Sequence, residues 1–287
     1  MNKLKKILIL GKGSYIGESF YNWLGNYPEN YNVQIISTMN YEWKDADWNN
    51  IDAVVNFAGI AHINNITEDM KELFYSINRD LAIEIGSFAK SYGVKQFIQF
   101  SSMNVYGDFC GVVKDRNAVN PSSFYGDSKL EGDLKLREME NQDFIVASVR
   151  PPFVYGKGCK GNYNTVRKLA LKLPLFPTYK NKKSMIYIDN LCEFLRLVID
   201  ERVGGVLTPQ NKELVSTSDL VYEISKVNSH VIIRVKMFNW AIPFLMKCIK
   251  AVKKAFIDDS YDLSNSDYFN WNYCVVNFEE SIRKTEA

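Results

Sequence analysis

Short apolar runs rich in Ile and Val recur along the chain and constrain its fold more than any other feature. They are KILIL (6–10), VQIIS (33–37), DAVVNFA (52–58), QFIQFSS (96–102), FIVASV (144–149) and SMIYI (184–188). Segments with helical spacing lie between several of them, EDMKELFYSINRDLAIEIGSFAKSYG (68–93) being the longest. A strand that is apolar on nearly every residue has both faces covered, which is the mark of a parallel sheet flanked by helices. The pattern predicts a doubly wound α/β architecture. After Arg150 the rhythm changes. RPPFVYGKGCKGNYN (150–164) is rich in Gly, Pro and Asn and reads as a loop beyond a strand end. From about residue 206 the strand signals weaken, which suits a smaller C-terminal lobe.

The 287 residues, 46% apolar and 24% charged, suffice for one large α/β domain or a domain with an appended part. The net charge of +2 argues for neither nucleic acid nor a membrane as the main partner. The five cysteines are scattered, odd in number and free of a CxxC, which suits a reduced, cytoplasmic protein. The opening MNKLKKILILGKG has basic residues before an apolar run, but the run stops at Gly11, too short for a signal peptide core. No stretch reaches the length of a membrane span. His62 and His230 stand far apart and no Cys/His cluster exists, so no metal site is expected.

LILGKGSYIGESF (8–20) sets Gly11, Gly13 and Gly17 between the first strand and a helix. Glycines there let the backbone turn tightly and approach a pyrophosphate, which then meets the helix N-terminus. The dinucleotide is expected along Gly11, Gly13, Ser14, Tyr15, Ile16 and Gly17. The second strand ends in Ser37, Thr38, Met39 and Asn40, with no acid before Glu42. An acid at that place bonds the ribose 2′-OH of NAD and repels a 2′-phosphate. Its absence favours NADP(H) over NAD(H), with Lys12 and Lys44 as the nearby cations. Residues 1–158, with 184–205 returning to the sheet, are expected to form the dinucleotide-binding domain. Residues 159–183 and 206–287 form the substrate-binding lobe.

The glycine loop, NFAG (56–59), SSMNVYG (101–107), YGDSK (125–129) and RPPFVYG (150–156) occur in that order. Together they resemble the extended short-chain dehydrogenase/reductase family, with its Rossmann sheet and its nucleotide-sugar epimerases, dehydratases and reductases. Ser14 departs from it, standing where the family has its middle glycine. More narrowly, 157–198 resembles bacterial 4-ketoreductases of polysaccharide gene clusters, which finish UDP-linked N-acetyl-6-deoxyhexosamines. The resemblance implies that the dinucleotide also meets Phe57, Ala58, Gly59, Ser101, Tyr125, Lys129 and Pro152. It implies catalysis by Ser102, Tyr125 and Lys129.

Tyr125 and Lys129, at i and i+4, share a helix face. Tyr179–Lys183 and Tyr222–Lys226 repeat the spacing, but only Tyr125–Lys129 has a Ser-rich strand end upstream. A free phenol ionises near pH ~10, and a nearby ammonium is expected to lower that value. The resemblance implies Ser102, three residues before Val105, rather than Ser101, as the active hydroxyl.

The family's sugar dehydratases place an Asp-Glu pair directly after the active hydroxyl. Met103 and Asn104 stand there instead, and neither titrates. Reversible hydride and proton transfer at one carbon remains, as a 4-ketoreductase or, alternatively, a UDP-sugar 4-epimerase. A non-catalytic NADP-binding sensor of the same fold would be expected to lack the Tyr or the Lys. Asn104, Asn162, Arg167, Lys168 and Lys183 are the candidate substrate contacts. Asn78 is read as structural and His62 as a loop residue. Residues 231–257 carry six Lys/Arg and no acid. Leu245, Cys248, Ile249, Val252 and Phe256 recur there at helical spacing, so this helix either packs its stripe on the lobe or lies on an anionic membrane, placing the protein at the inner membrane surface. A homodimer through a four-helix contact is what the resemblance implies.

Overall fold

The computed structural model describes residues 4–61 and 67–287. His62 lies outside the described residues. The chain runs β1 (Lys5–Leu10), α1 (Tyr15–Leu24), β2 (Tyr31–Ile36), β3 (Ala53–Asn56), α2 (Lys71–Tyr75), α3 (Ala82–Ser91), β4 (Gln96–Phe100), β5 (Gly111–Val113), α4 (Phe124–Glu138) and β6 (Ile145–Val149). It continues through β7 (Phe153–Tyr155), α5 (Asn162–Lys172), β8 (Leu175–Pro177), β9 (Met185–Tyr187), α6 (Ile188–Asp200), β10 (Gly205–Leu207) and α7 (Thr217–Val227). β11 (Ile233–Val235), α8 (Ile242–Cys248), α9 (Lys250–Phe256), β12 (Asp259–Tyr261) and α10 (Phe278–Glu286) complete it.

Two compact units divide the chain. The first holds Met1–Asp108, Arg116–Pro151 and Leu191–Pro209; the second holds Phe109–Asp115, Pro152–Asn190 and Gln210–Ala287. The cut falls at Pro151 rather than residue 158, and the return to the first unit begins at Leu191 rather than 184. β7 and β9 pair with each other, not with the large sheet, which draws 152–190 into the second unit.

The first unit is built on one six-stranded sheet in the order β10-β6-β4-β3-β1-β2, parallel throughout. This is the doubly wound sheet that the Ile/Val runs predict. Ile7 to Leu10 and Val54 to Val55 are fully buried because helices cover both faces. Trp43 and Trp48 join this core, stacked edge-on at 6.1 Å, with the Trp48 indole donating to the Trp43 carbonyl at 2.8 Å. From β1 the chain moves outward to β2, then returns to β1's other side as β3. That reversal opens a crevice at the carboxyl ends of β1 and β3.

The second unit carries three parallel two-stranded pairs, β5·β12, β7·β9 and β8·β11. Glu286 on α10 gathers α5 and the end of α7: its carboxylate accepts from Tyr163 at 2.8 Å, Arg167 at 2.7 Å and Asn228 at 2.8 Å. The helix expected over 245–256 is broken at Ile249, whose backbone is extended. Its stripe is split accordingly. Phe256 is buried against Phe176, while Cys248 and Ile249 are exposed. Among the described residues no helix is long and apolar enough to cross a membrane, and no cluster of His, Cys, Asp and Glu could hold a metal ion.

Candidate active site

The glycine turn after β1 and Phe57–Gly59 after β3 stand on the two sides of the crevice. They are tied together, since the Phe57 N–H donates to the Leu10 carbonyl at 2.8 Å. Gly11 takes a φ of +123° and Gly13 one of +84°, conformations that L side chains rarely adopt. A Cβ on Gly13 would meet nothing within 4 Å, so the turn faces open space there. Ser14 caps α1, its hydroxyl accepting from the Gly17 N–H at 3.2 Å. The serine in place of a glycine thus gains a capping role, and the turn keeps its shape. This open cradle at a helix start fits a dinucleotide diphosphate. One feature opposes an anion: the Glu18 carboxylate accepts from the Gly13 N–H at 2.8 Å.

At the ribose end, Ser37 follows β2 and its hydroxyl accepts from the Met39 N–H at 3.1 Å. Thr38 follows it directly. Lys44 is engaged by Glu84 at 2.6 Å, whereas Lys12 is exposed.

β4 ends at Phe100 and delivers Ser101 and Ser102 to the same sheet edge. Ser102 caps a short 3-10 turn, Met103–Tyr106. Its Oγ accepts two bonds from Asn104, the backbone N–H at 3.2 Å and the side-chain amide at 3.1 Å. With its acceptor sites so filled, the Ser102 hydroxyl is left to donate. In the protein alone it bonds the Tyr125 phenol. The Ser101 hydroxyl is buried and makes no hydrogen bond, so Ser102 is the better placed of the two to act with Tyr125. Asn104, expected to touch substrate, has its amide nitrogen turned to Ser102.

Helix α4 begins at Phe124, capped by the Ser123 hydroxyl. Tyr125, Lys129 and Asp133 recur every fourth residue and share one face. Lys129 is 4% exposed, and its ammonium donates to the Phe100 carbonyl at 3.0 Å. Gly59 leaves room for it: a Cβ there would lie 2.5 Å from Lys129 Nζ. Asn78, fully buried in a π-helical stretch (Ser76–Leu81), holds that loop. Its Oδ1 accepts from the Ile60 N–H at 3.0 Å, and its Nδ2 donates to the Ile60 carbonyl at 3.2 Å and to Ser128 at 3.1 Å.

Burial pushes the Tyr125 phenol up, against the lowering effect of the Ser102 hydrogen bond, and the Asp133 charge adds to the rise. The lowered phenol anticipated from its lysine neighbour is therefore not found in the protein alone. Burial dominates, and the Lys129 ammonium is turned to the Phe100 carbonyl. Burial also brings Lys129 down to about 8, opposed by the charge of Asp133. Asp133 is fully buried and ion-paired to Arg150, with Oδ2 to Nε at 3.1 Å. This support was missed in the sequence; the i+4 step from Lys129 to Asp133 was the available signal.

The two other Tyr–Lys pairs have structural duties. Tyr222 donates to the Pro177 carbonyl at 3.0 Å while Lys226 pairs with Glu223 at 3.0 Å. Tyr179 packs edge-on against Phe256 and Lys183 pairs with Asp259 at 2.9 Å. Arg167 is paired to Glu286 at 2.7 Å. Asn162 and Lys168, at the start and middle of α5, are exposed, and Pro152 is buried at the start of the second unit's segment Pro152–Asn190.

A parallel sheet with a glycine cradle at its crevice and a Ser–Tyr–Lys set at the same edge defines an NAD(P)-dependent α/β protein. Residues 27–207 match the model of the NAD dependent epimerase/dehydratase family, and the chain belongs to that family. Its members are oxidoreductase-type enzymes that handle nucleotide sugars. The chain is 29% identical over 217 residues to a UDP-glucose 4-epimerase of Vibrio cholerae, covering 72% of this chain and 64% of that one. It is 27% identical over 161 residues to the N-acetyl-alpha-D-glucosaminyl-diphospho-ditrans,octacis-undecaprenol 4-epimerase of Escherichia coli O157:H7, covering 54% of this chain and 49% of that one. The match thus spans about half to two-thirds of these relatives. The fold superposes on the Bacillus cereus UDP-glucuronic acid 4-epimerase, solved with UDP-glucuronic acid and NAD, with a TM-score of 0.72, 17% identity and 98% of each chain covered.

Proposed function

We propose that this protein reduces the 4-keto group of a UDP-linked 6-deoxy-N-acetylhexosamine, with NADPH favoured over NADH, in the building of a bacterial surface polysaccharide. The observation that carries the reading is the set Ser102, Tyr125 and Lys129 with two residues beside it, Met103 and Asn104, that do not titrate. Elimination of water needs an acid and a base, which the resemblance places at those two positions; hydride and proton transfer at one carbon needs neither there.

The Ser102 hydroxyl, its oxygen held by Asn104, donates to the C4 carbonyl oxygen. Tyr125, kept protonated by burial, passes its proton to that oxygen as it gains negative charge. The Lys129 ammonium favours the phenolate left behind. When bound, the nicotinamide supplies the hydride. The β2 end at Ser37 and Thr38, which holds no carboxylate, supports a cofactor with a 2′-phosphate. In this reading Asn162 and Lys168 meet the UDP diphosphate. Arg167 and Lys183 join them only by giving up Glu286 and Asp259.

The names of the two relatives favour a second reading, a 4-epimerase that keeps NAD bound and returns the hydride to the other face. Absorbance at about 340 nm separates the readings. Stoichiometric loss of NADPH with a UDP-4-keto-6-deoxy-N-acetylhexosamine is the expected result. Interconversion of UDP-N-acetylglucosamine or UDP-glucose with no net absorbance change supports the epimerase. Neither activity, in a sample that binds NADPH, would leave a dinucleotide-binding sensor.

A further inference from the structure

The segment 231–257 departs from the rest of the second unit's surface. Its six cations, Arg234, Lys236, Lys247, Lys250, Lys253 and Lys254, stand with no acid among them. Large apolar side chains are turned out beside them: Trp240 is 79% exposed, Met237 69%, Phe244 67% and Ile233 61%. The segment is nevertheless fastened at its back. Ile242 and Phe256 are buried, Phe256 against Phe176 at 5.9 Å. The Asn181 amide donates to the carbonyls of Ala255 at 3.4 Å and Ile257 at 3.2 Å. Core demand has therefore been met by inward residues, and Trp240, Phe244 and Met237 are surplus to it. Single exposed apolar residues need no explanation, but a group of them on one folded segment marks an interaction surface.

We infer that this face docks the second unit on an anionic lipid bilayer, Trp240 and Phe244 entering the headgroup boundary and the lysines of α8 and α9 meeting lipid phosphates. Trp and Phe favour that boundary, and Lys beside them adds attraction to anionic headgroups. Charge sign selects the occupant. A second copy of the chain meeting this face through a two-fold axis would set like charges against each other. A bilayer rich in anionic lipid complements the exposed lysines Lys247, Lys250, Lys253 and Lys254, while Arg234 lies over the Tyr222 ring at 4.3 Å. The inference stands apart from the C4 reaction and survives if that reading fails.

The test is co-sedimentation of the full chain with vesicles of phosphatidylcholine alone, or mixed with phosphatidylglycerol. The expected result is pelleting with the mixed vesicles, at least about tenfold weaker with phosphatidylcholine alone and weakened again by added salt. Trp240→Ser with Phe244→Ser should cut pelleting by about tenfold, as should Lys250→Gln with Lys253→Gln and Lys254→Gln. All five side chains are exposed, so both variants should keep the parent's melting temperature, and their NADPH binding reports separately on the dinucleotide site. Absent pelleting, pelleting indifferent to lipid charge or to both variants, or a concentration-dependent dimer that the Trp240→Ser/Phe244→Ser variant dissolves would each overturn it.

Discussion

Asp133 lies one helical turn beyond Lys129, fully buried, and takes its ion pair from Arg150 at 3.1 Å. The arrangement links the start of the loop after β6 to the helix that presents Tyr125 and Lys129. Asp133 is also the charge that opposes the downward push of burial on Lys129. Below pH 8 the folded and unfolded chains both carry the Lys129 proton, and the fold bears the buried ammonium in full. Between about 8 and the ordinary value of 10.5 only the folded chain has released it, so this residue's contribution to stability rises with pH across that window.

Asp133→Asn should therefore act in two ways. Arg150 is left buried without its partner, at a cost of about 3–5 kcal/mol, read as a lower melting temperature. Lys129 loses its attractor, so the alkaline limb of kcat/KM, expected near pH 8 in the parent, should move down by about one unit. Asp133→Glu should restore much of both. An unmoved limb in a folded Asp133→Asn sample would separate Asp133 from Lys129.

Asn104→Ala removes the side-chain donor that holds the Ser102 oxygen. We expect kcat to fall by about tenfold with KM little changed, since one hydrogen bond is lost at a group acting on the reacting oxygen. Steady-state kinetics would show it. A rise in KM alone would return Asn104 to the role of a substrate contact.

Glu18 sets a carboxylate on the N–H of Gly13, inside the turn expected to hold the diphosphate. Glu18→Gln should tighten dinucleotide binding by about two- to fivefold at low ionic strength, with the gain fading as salt is added. Titration calorimetry measures this directly. Weaker binding by the variant would mean that the carboxylate supports the turn rather than competing for it.

Ser37→Asp should turn preference from NADPH to NADH by roughly tenfold or more, through repulsion of the 2′-phosphate. The ratio of dissociation constants for the two reduced cofactors is the readout. An unchanged ratio would place the ribose elsewhere.

The large sheet was legible because Ile/Val runs of strand length are hard to use in any other way, and β1 to β4 and β6 fall within a few residues of their expected positions. Tyr125, Lys129 and Ser102 stood out by spacing, order and family resemblance, and remain the proposed catalytic set. What lay hidden depends on distant partners. Arg150 reads as the head of a loop until Asp133, 17 residues earlier, is placed beside it. Arg167 looks like a free cation until Glu286 arrives from the last helix. The apolar stripe over 245–256 obeys helical spacing, but the break at Ile249 leaves only part of it facing inward. Periodicity reports which residues share a face and says nothing of which face the rest of the chain covers. The Tyr125 phenol followed the same rule: its neighbour in sequence was visible, and its burial was not.

The most direct test of the account is Tyr125→Phe, assayed for turnover of the ketosugar and for NADPH binding in the same preparation. The account predicts turnover reduced by about a hundredfold to ten-thousandfold with the dissociation constant for NADPH nearly unchanged. Turnover near that of the parent, in a variant that binds the cofactor normally, would contradict it.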